Sequence, residues 1–141
     1  MIRIIVVLGV VVALYSSSAL VRAKLAINEV ENYVSEALLD VAQPWSSSRL
    51  TARASIWLNK HSGLKPDEIV RKGKVELGDL AYIDGDPDCD LYKGIAQHES
   101  VERNYSDCTV VVRFEKKSAS ISVRLVKESE NWKINNFISI K

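Results

Sequence analysis

Cys108-Thr109-Val110-Val111-Val112-Arg113-Phe114-Glu115 and, after a short break, Ala119-Ser120-Ile121-Ser122-Val123-Arg124-Leu125 are the two runs that decide the fold. In the first, Cys108, Val110, Val112 and Phe114 alternate with Thr109, Val111, Arg113 and Glu115. In the second, Ala119, Ile121, Val123 and Leu125 alternate with Ser120, Ser122 and Arg124. Successive side chains on a strand point to opposite faces, so a period of two puts one apolar row on one face. Lys116-Lys117-Ser118 lies between the runs and reads as a turn, which makes them antiparallel neighbours.

Working downstream, residues 128–130 turn the chain again, and Trp132, Ile134, Ile138 and Ile140 share one face of a last strand. Asn136 interrupts that face and Phe137 falls on the other. This predicts a sheet partly covered on both faces, or a bulge near Asn136. Working upstream, residues 80–83 and 91–97 read as strands joined by an acidic loop over 84–90. The expectation is a curved antiparallel sheet of four to five strands.

Before Gly78 the period changes to that of a helix. Ala26, Val30, Tyr33, Val34, Ala37, Leu38 and Val41 form one apolar stripe over residues 24–43, and Pro44 ends it. Ser46-Ser47-Ser48 supplies N-cap candidates for a second helix, whose apolar face is Leu50, Ala54, Trp57 and Leu58. A third starts near Pro66, with Asp67 and Glu68 suited to its positive end, and Gly78 as its stop. Gly73 is unfavourable in its middle. Helices first and a meander after is the order of an α+β domain with helices packed on the sheet.

The N-terminus is different in kind. Arg3 precedes residues 4–15, which carry no charge, and the next charged residue is Arg22. Residues 1–23 read as a signal peptide, with small residues near 17–19 and 21–23, or as an uncleaved signal anchor, since residues 4–21 approach the length that spans a bilayer. Residues 24–141 then form the single domain, exported to a periplasmic or other extracytoplasmic space and attached to a membrane if the segment is retained. The first helix is expected to run straight on from that segment.

The two cysteines agree with export. An even number in a chain bound for an oxidising space predicts a Cys89–Cys108 disulfide. With a two-residue turn at His98-Glu99, Gln97 lies opposite Ser100 and Cys89 opposite Cys108; a turn over 99–104 would separate the pair. Nineteen Lys and Arg against 18 Asp and Glu leave no basic stripe for phosphates, which argues against a nucleic-acid partner.

The helix-rich first half, Pro44-Trp45 after the first helix, and the closing Trp132-Lys133-Ile134-Asn135-Asn136-Phe137 resemble the nuclear transport factor 2-like superfamily, a cystatin-like α+β cone. The resemblance covers about residues 24–141. It implies a pocket between helices and sheet; its members include isomerases, cyclases, transport factors and membrane-tethered assembly proteins, so it implies no single activity.

Candidate sites are few. Asp84, Asp86, Asp88 and Asp90 could offer oxygens to a calcium ion, but counting from Asp84 the sixth residue is Cys89 and the twelfth is Ile95, where an EF-hand needs Gly and Glu. A solvated acidic turn is the simpler reading. His61 and His98 lack a second ligand at metal spacing. No Gly-x-Ser-x-Gly elbow, phosphate loop or cofactor motif occurs. An isomerase-type pocket would need a buried carboxylate with a convergent Tyr, and Tyr33, Tyr82, Tyr92, Tyr105, Asp40 and Asp79 are the available groups. Tyr33, Trp57, Trp132 and Asn136 are the expected pocket or core residues. The leading expectation is a non-enzymatic interaction or small-ligand-binding module of the cell envelope, with a protein partner there. The alternative is a small pocket enzyme of isomerase or cyclase type.

Overall fold

Helix α1 runs unbroken over Ile2–Ala42, 41 residues and about 60 Å at ~1.5 Å per residue. The computed structural model describes the backbone of residues 2–61, 63–96 and 99–141, and within these the side chains from Ser18 onward. The apolar residues 4–15 therefore lie outside the described side chains. Among the described residues no helix is long and apolar enough to cross a membrane. The expected stripe is the buried one: Val30, Val34, Ala37, Leu38 and Val41 are all 3% exposed or less.

Trp45 follows the helix and fixes the first corner. Its indole N–H donates to Gly78 O at 2.7 Å, its backbone N–H to Asp79 Oδ1 at 3.3 Å, and its ring stacks on Phe114 at 6.1 Å. The single second helix expected from the sequence is two, α2 (Ser47–Arg53) and α3 (Ile56–Lys60). The break falls where Ala54 bridges to Ile134 and the Ser55 N–H donates to Ile134 O. Ser55 Oγ also caps α3 by accepting from the Leu58 N–H at 3.1 Å. A sheet-edge contact thus outcompetes helix continuation. Helix α4 (Pro66–Leu77) has its Pro in the first turn and ends at Gly78, whose φ of 75° suits a glycine. Gly73 sits in its middle because Trp45 lies against it; an added Cβ would be 2.5 Å from the ring.

Among the described residues the sheet has four strands in the order β1-β2-β3-β4, all neighbours antiparallel: β1 (Leu80–Ile95), β2 (Glu102–Phe114), β3 (Ser118–Glu128) and β4 (Asn131–Ile140). The expected acidic loop is instead part of β1. Asp84 pairs with Val111 and Asp88 with Thr109, so the chain between them is absorbed as a bulge, with Gly85 at φ 78° and Pro87 buried. β2 begins six residues earlier than its alternation suggested, at Glu102.

The bulge expected near Asn136 is present, and a second follows. Leu125 pairs with Ile134 but Arg124 with Asn136; Val123 pairs with Phe137 but Ser122 with Ser139. Each extra residue reverses the parity of those after it. Ile134, Phe137 and Ile140 therefore face the helices at steps of three. Phe137, assigned to the opposite face by strict alternation, packs on the core, while Ile138 is 45% exposed. Cys108, Val110, Val112, Phe114, Ala119, Ile121, Val123, Leu125, Trp132 and Ile134 fill this face against α1, Leu50, Leu58 and Leu77. The expectation that Trp132 and Ile134 belong to the core holds, at 8% and 1% exposure.

Candidate functional site

The register of β1 and β2 puts Cys89 opposite Cys108, and their sulfurs are 2.08 Å apart, at disulfide distance. The alignment is the one a two-residue turn at residues 98–99 would give, but His98 lies outside the described residues. A hydrogen bond from the Glu99 N–H to Ala96 O closes that end of the hairpin. The same register pairs Asp90 with Asp107, Leu91 with Ser106 and Tyr92 with Tyr105. Leu91 and Ser106 follow the cysteines on the helix side. Asp107, Tyr92 and Tyr105 face the other way.

On this second face the two tyrosines stack, with centroids 5.7 Å apart. Asp107 receives two hydrogen bonds from Arg124 of β3, at 2.8 and 3.0 Å, and a third from the Tyr92 hydroxyl at 3.1 Å. The Arg124 guanidinium holds the Asp107 carboxyl below its ordinary range. Burial, then the bond to Asp107, pushes the Tyr92 hydroxyl up, and burial does the same to Tyr105. At neutral pH the cluster is an ionised pair flanked by two neutral phenols.

Around it lies a recess of 570 Å³, bounded by Tyr92, Ile95, Tyr105 and Arg124 on the sheet and by Trp57, Asn135 and Asn136 at its edge. Trp57 reaches it because α3 is docked on β4 through Ser55, whose hydroxyl donates to Asn135 Oδ1 at 2.9 Å. The bulge that turns Asn135 toward Ser55 aligns Asn136 with Arg124. The recess offers aromatic walls, amides and a guanidinium. Among the described residues no carboxylate lines it, and Asp107, bonded to its Arg124 and Tyr92, is not free as a base for proton abstraction.

Of the residues singled out from the sequence, Trp57, Asn136, Tyr92 and Tyr105 meet here. Tyr33 and Trp132 do not. They border a separate crevice with Glu29 and Glu130 on the far side of the sheet. Tyr33 lies under the Arg53 guanidinium, 5.4 Å from its centre, and Arg53 pairs with Asp40 at 2.8 Å. Burial raises the Tyr33 hydroxyl above its ordinary pKa against the opposing pull of Arg53. Trp132 carries Lys127 over its ring at 5.7 Å. Asp40 and Asp79, considered as bases, are thus held by Arg53 and by the Trp45 N–H. His61 stacks on Trp57 at 5.6 Å.

Asp84, Asp86, Asp88 and Asp90 are exposed and strung along β1 and its bulge. Among the described residues no group of three or more His, Cys, Asp or Glu gathers to hold a metal. A smaller apolar groove of 280 Å³ runs between α4 and β4, lined by Trp45, Ile69, Leu77, Phe137 and Ile140. Its one acid, Glu76, is exposed. Comparison of the chain with known protein families, curated proteins and solved structures finds no match.

Proposed function

We propose that the chain is a non-enzymatic interaction or small-ligand-binding module of the cell envelope, exported and held at a membrane by its N-terminal segment. One observation carries the non-enzymatic part. The recess is rich in recognition groups, yet among the described residues no carboxylate lines it, and Asp107, which bonds to two of its lining residues, is tied up by Arg124 and Tyr92. An isomerase or cyclase in such a fold would need a free, shielded carboxylate in its pocket. The filled helix-side core, with Phe114, Ile121 and Leu125 at 1% exposure or less, adds support, because it leaves no deep internal cavity for a substrate among the described residues. Cysteines at disulfide distance are compatible with an oxidising compartment. The order of helices and meander supports kinship with the nuclear transport factor 2-like superfamily.

The test is site-specific photocrosslinking in native membranes, from Asn136 at the recess and from Val111 as a distant exposed control. A discrete adduct from Asn136 and none from Val111 supports the reading. Equal labelling from both positions, or none from Asn136, would defeat it. A fusion of residues 1–30 to a reporter active only outside the cytoplasm checks export separately.

A further inference from the structure

The structure has a distinct end defined by α1. Gln43 donates its side-chain N–H to Ala81 O at 2.9 Å, while Ala26 and Glu29 share a crevice with Leu91 and Lys93. The helix and β1 therefore lie antiparallel. From residue 26 to residue 43 the helix advances about 25 Å at ~1.5 Å per residue. From 81 to 91, less the two residues taken up by the bulge, β1 advances about 26 Å at ~3.3 Å per residue. The two elements keep step.

Beyond Leu91 the strand continues to Ile95, about 13 Å further, which equals roughly nine residues of helix. The flanks of the β1–β2 hairpin thus reach the level of about residue 17 on α1. At this end Ile95 and Val101 are 61% and 55% exposed. The helix beside them is bare as well, with Leu20, Val21 and Leu25 exposed. The balance of charge nearby is basic: Arg22 and Lys24 lie on the helix, Glu99 is neutralised by Arg103 at 2.8 Å, and Glu102, opposite Ile95, is the exposed acid beside the two apolar side chains. The apolar run 4–15 leaves the domain at this same end.

We propose that Ile95 and Val101 rest on the lipid surface that the N-terminal run enters, giving the domain a second contact with the bilayer. This rests on the membrane-anchor reading of residues 4–21. Two apolar side chains at a headgroup boundary supply the kind of burial that interfacial segments use. They also hold the Trp57–Arg124 recess close to the membrane, since Ile95 lines it.

The test uses the full chain reconstituted in vesicles of zwitterionic and anionic phospholipid. Single cysteines carry an environment-sensitive fluorophore in Ile95→Cys, Val101→Cys, Val111→Cys and Val12→Cys; paired Cys89 and Cys108 do not react. Lipids with nitroxide headgroups or nitroxide acyl chains serve as quenchers. The expected result is loss of emission with headgroup quencher at 95 and 101, with acyl quencher at 12, and with neither at 111. Quenching at 12 without quenching at 95 and 101 would overturn the hairpin contact and leave the anchor standing. No quenching at 12 would remove the anchor, and the proposal with it. Both hairpin positions are exposed, so folding is preserved, and circular dichroism of each variant checks this.

Discussion

Replacing Gly73 with alanine sets helix propensity directly against packing. In the interior of α4 the added methyl should stabilise the helix by roughly 1 kcal/mol. The same methyl would lie 2.5 and 2.6 Å from two Trp45 ring atoms. The ring cannot swing aside freely. It is 9% exposed, stacked on Phe114 and hydrogen-bonded to Gly78 O at 2.7 Å. Overpacking of this kind costs about 1–3 kcal/mol, and a strained indole hydrogen bond about 0.5–1.5 kcal/mol more. The net expectation for Gly73→Ala is a loss of about 1–3 kcal/mol. Removing the ring should reverse the sign. Trp45→Ala alone costs about 3–5 kcal/mol, but in that background Gly73→Ala should stabilise by up to about 1 kcal/mol. Urea unfolding of the full chain in mild detergent, followed by far-ultraviolet circular dichroism, measures all four corners of the cycle. The same effect of Gly73→Ala in both backgrounds would refute the claim that Trp45 selects glycine there.

Three further outcomes are expected. Asp107 is held below its ordinary pKa of 3.8 by Arg124, so its contribution is fully present above that value and is lost as pH falls through the lower folded one; with the pair 40% and 35% exposed it amounts to under about 1 kcal/mol, and the stability gap between wild type and Asp107→Asn should close below that pH in urea titrations. Reduction of the Cys89–Cys108 pair, 19 residues apart in sequence, should cost about 3 kcal/mol through the unfolded chain, and counting thiols in denatured protein from its native compartment should find none free. Trp132→Ala should cost about 3–5 kcal/mol because only 8% of the side chain is exposed, and a loss under about 1 kcal/mol would mean the core is not closed there.

The sheet was readable where one side chain in two is buried. From Cys108 to Phe114 and from Ala119 to Leu125 both strands have one dry face, and the alternation states their register. Reading failed where an extra residue shifts parity. Strict alternation sends Phe137 to the wrong face; the break at Asn136 pointed to the first bulge, but the second, at Ile138, was not marked, because that residue looks like an ordinary member of a strand. Asp84-Gly85-Asp86-Pro87 has the composition of a loop, and only its partners on β2 keep it in the sheet. The break at Ala54-Ser55 was hidden because its cause is Ile134, some 80 residues away. Of the site, Trp57 and Asn136 were legible, whereas Tyr92, Tyr105, Asp107 and Arg124 were not grouped. The signal existed: the register that pairs the cysteines also pairs the two tyrosines. Asp107 and Arg124 come together through the β2–β3 turn, and nothing local to either residue marks them.

The unbroken course of α1 has a mechanical consequence. A helix without a hinge transmits rotation as well as position, so whatever grips its N-terminal turns also sets the compass bearing of the domain. At 3.6 residues per turn, one residue inserted between Lys24 and Leu25 would swing the recess by about 100° around the helix axis and lift it by ~1.5 Å. Four inserted residues would bring the bearing back to within about 40° at a height greater by about 6 Å. The chain between residues 18 and 29 thus acts as a shaft whose length is quantised, and changes there alter aim before they alter reach.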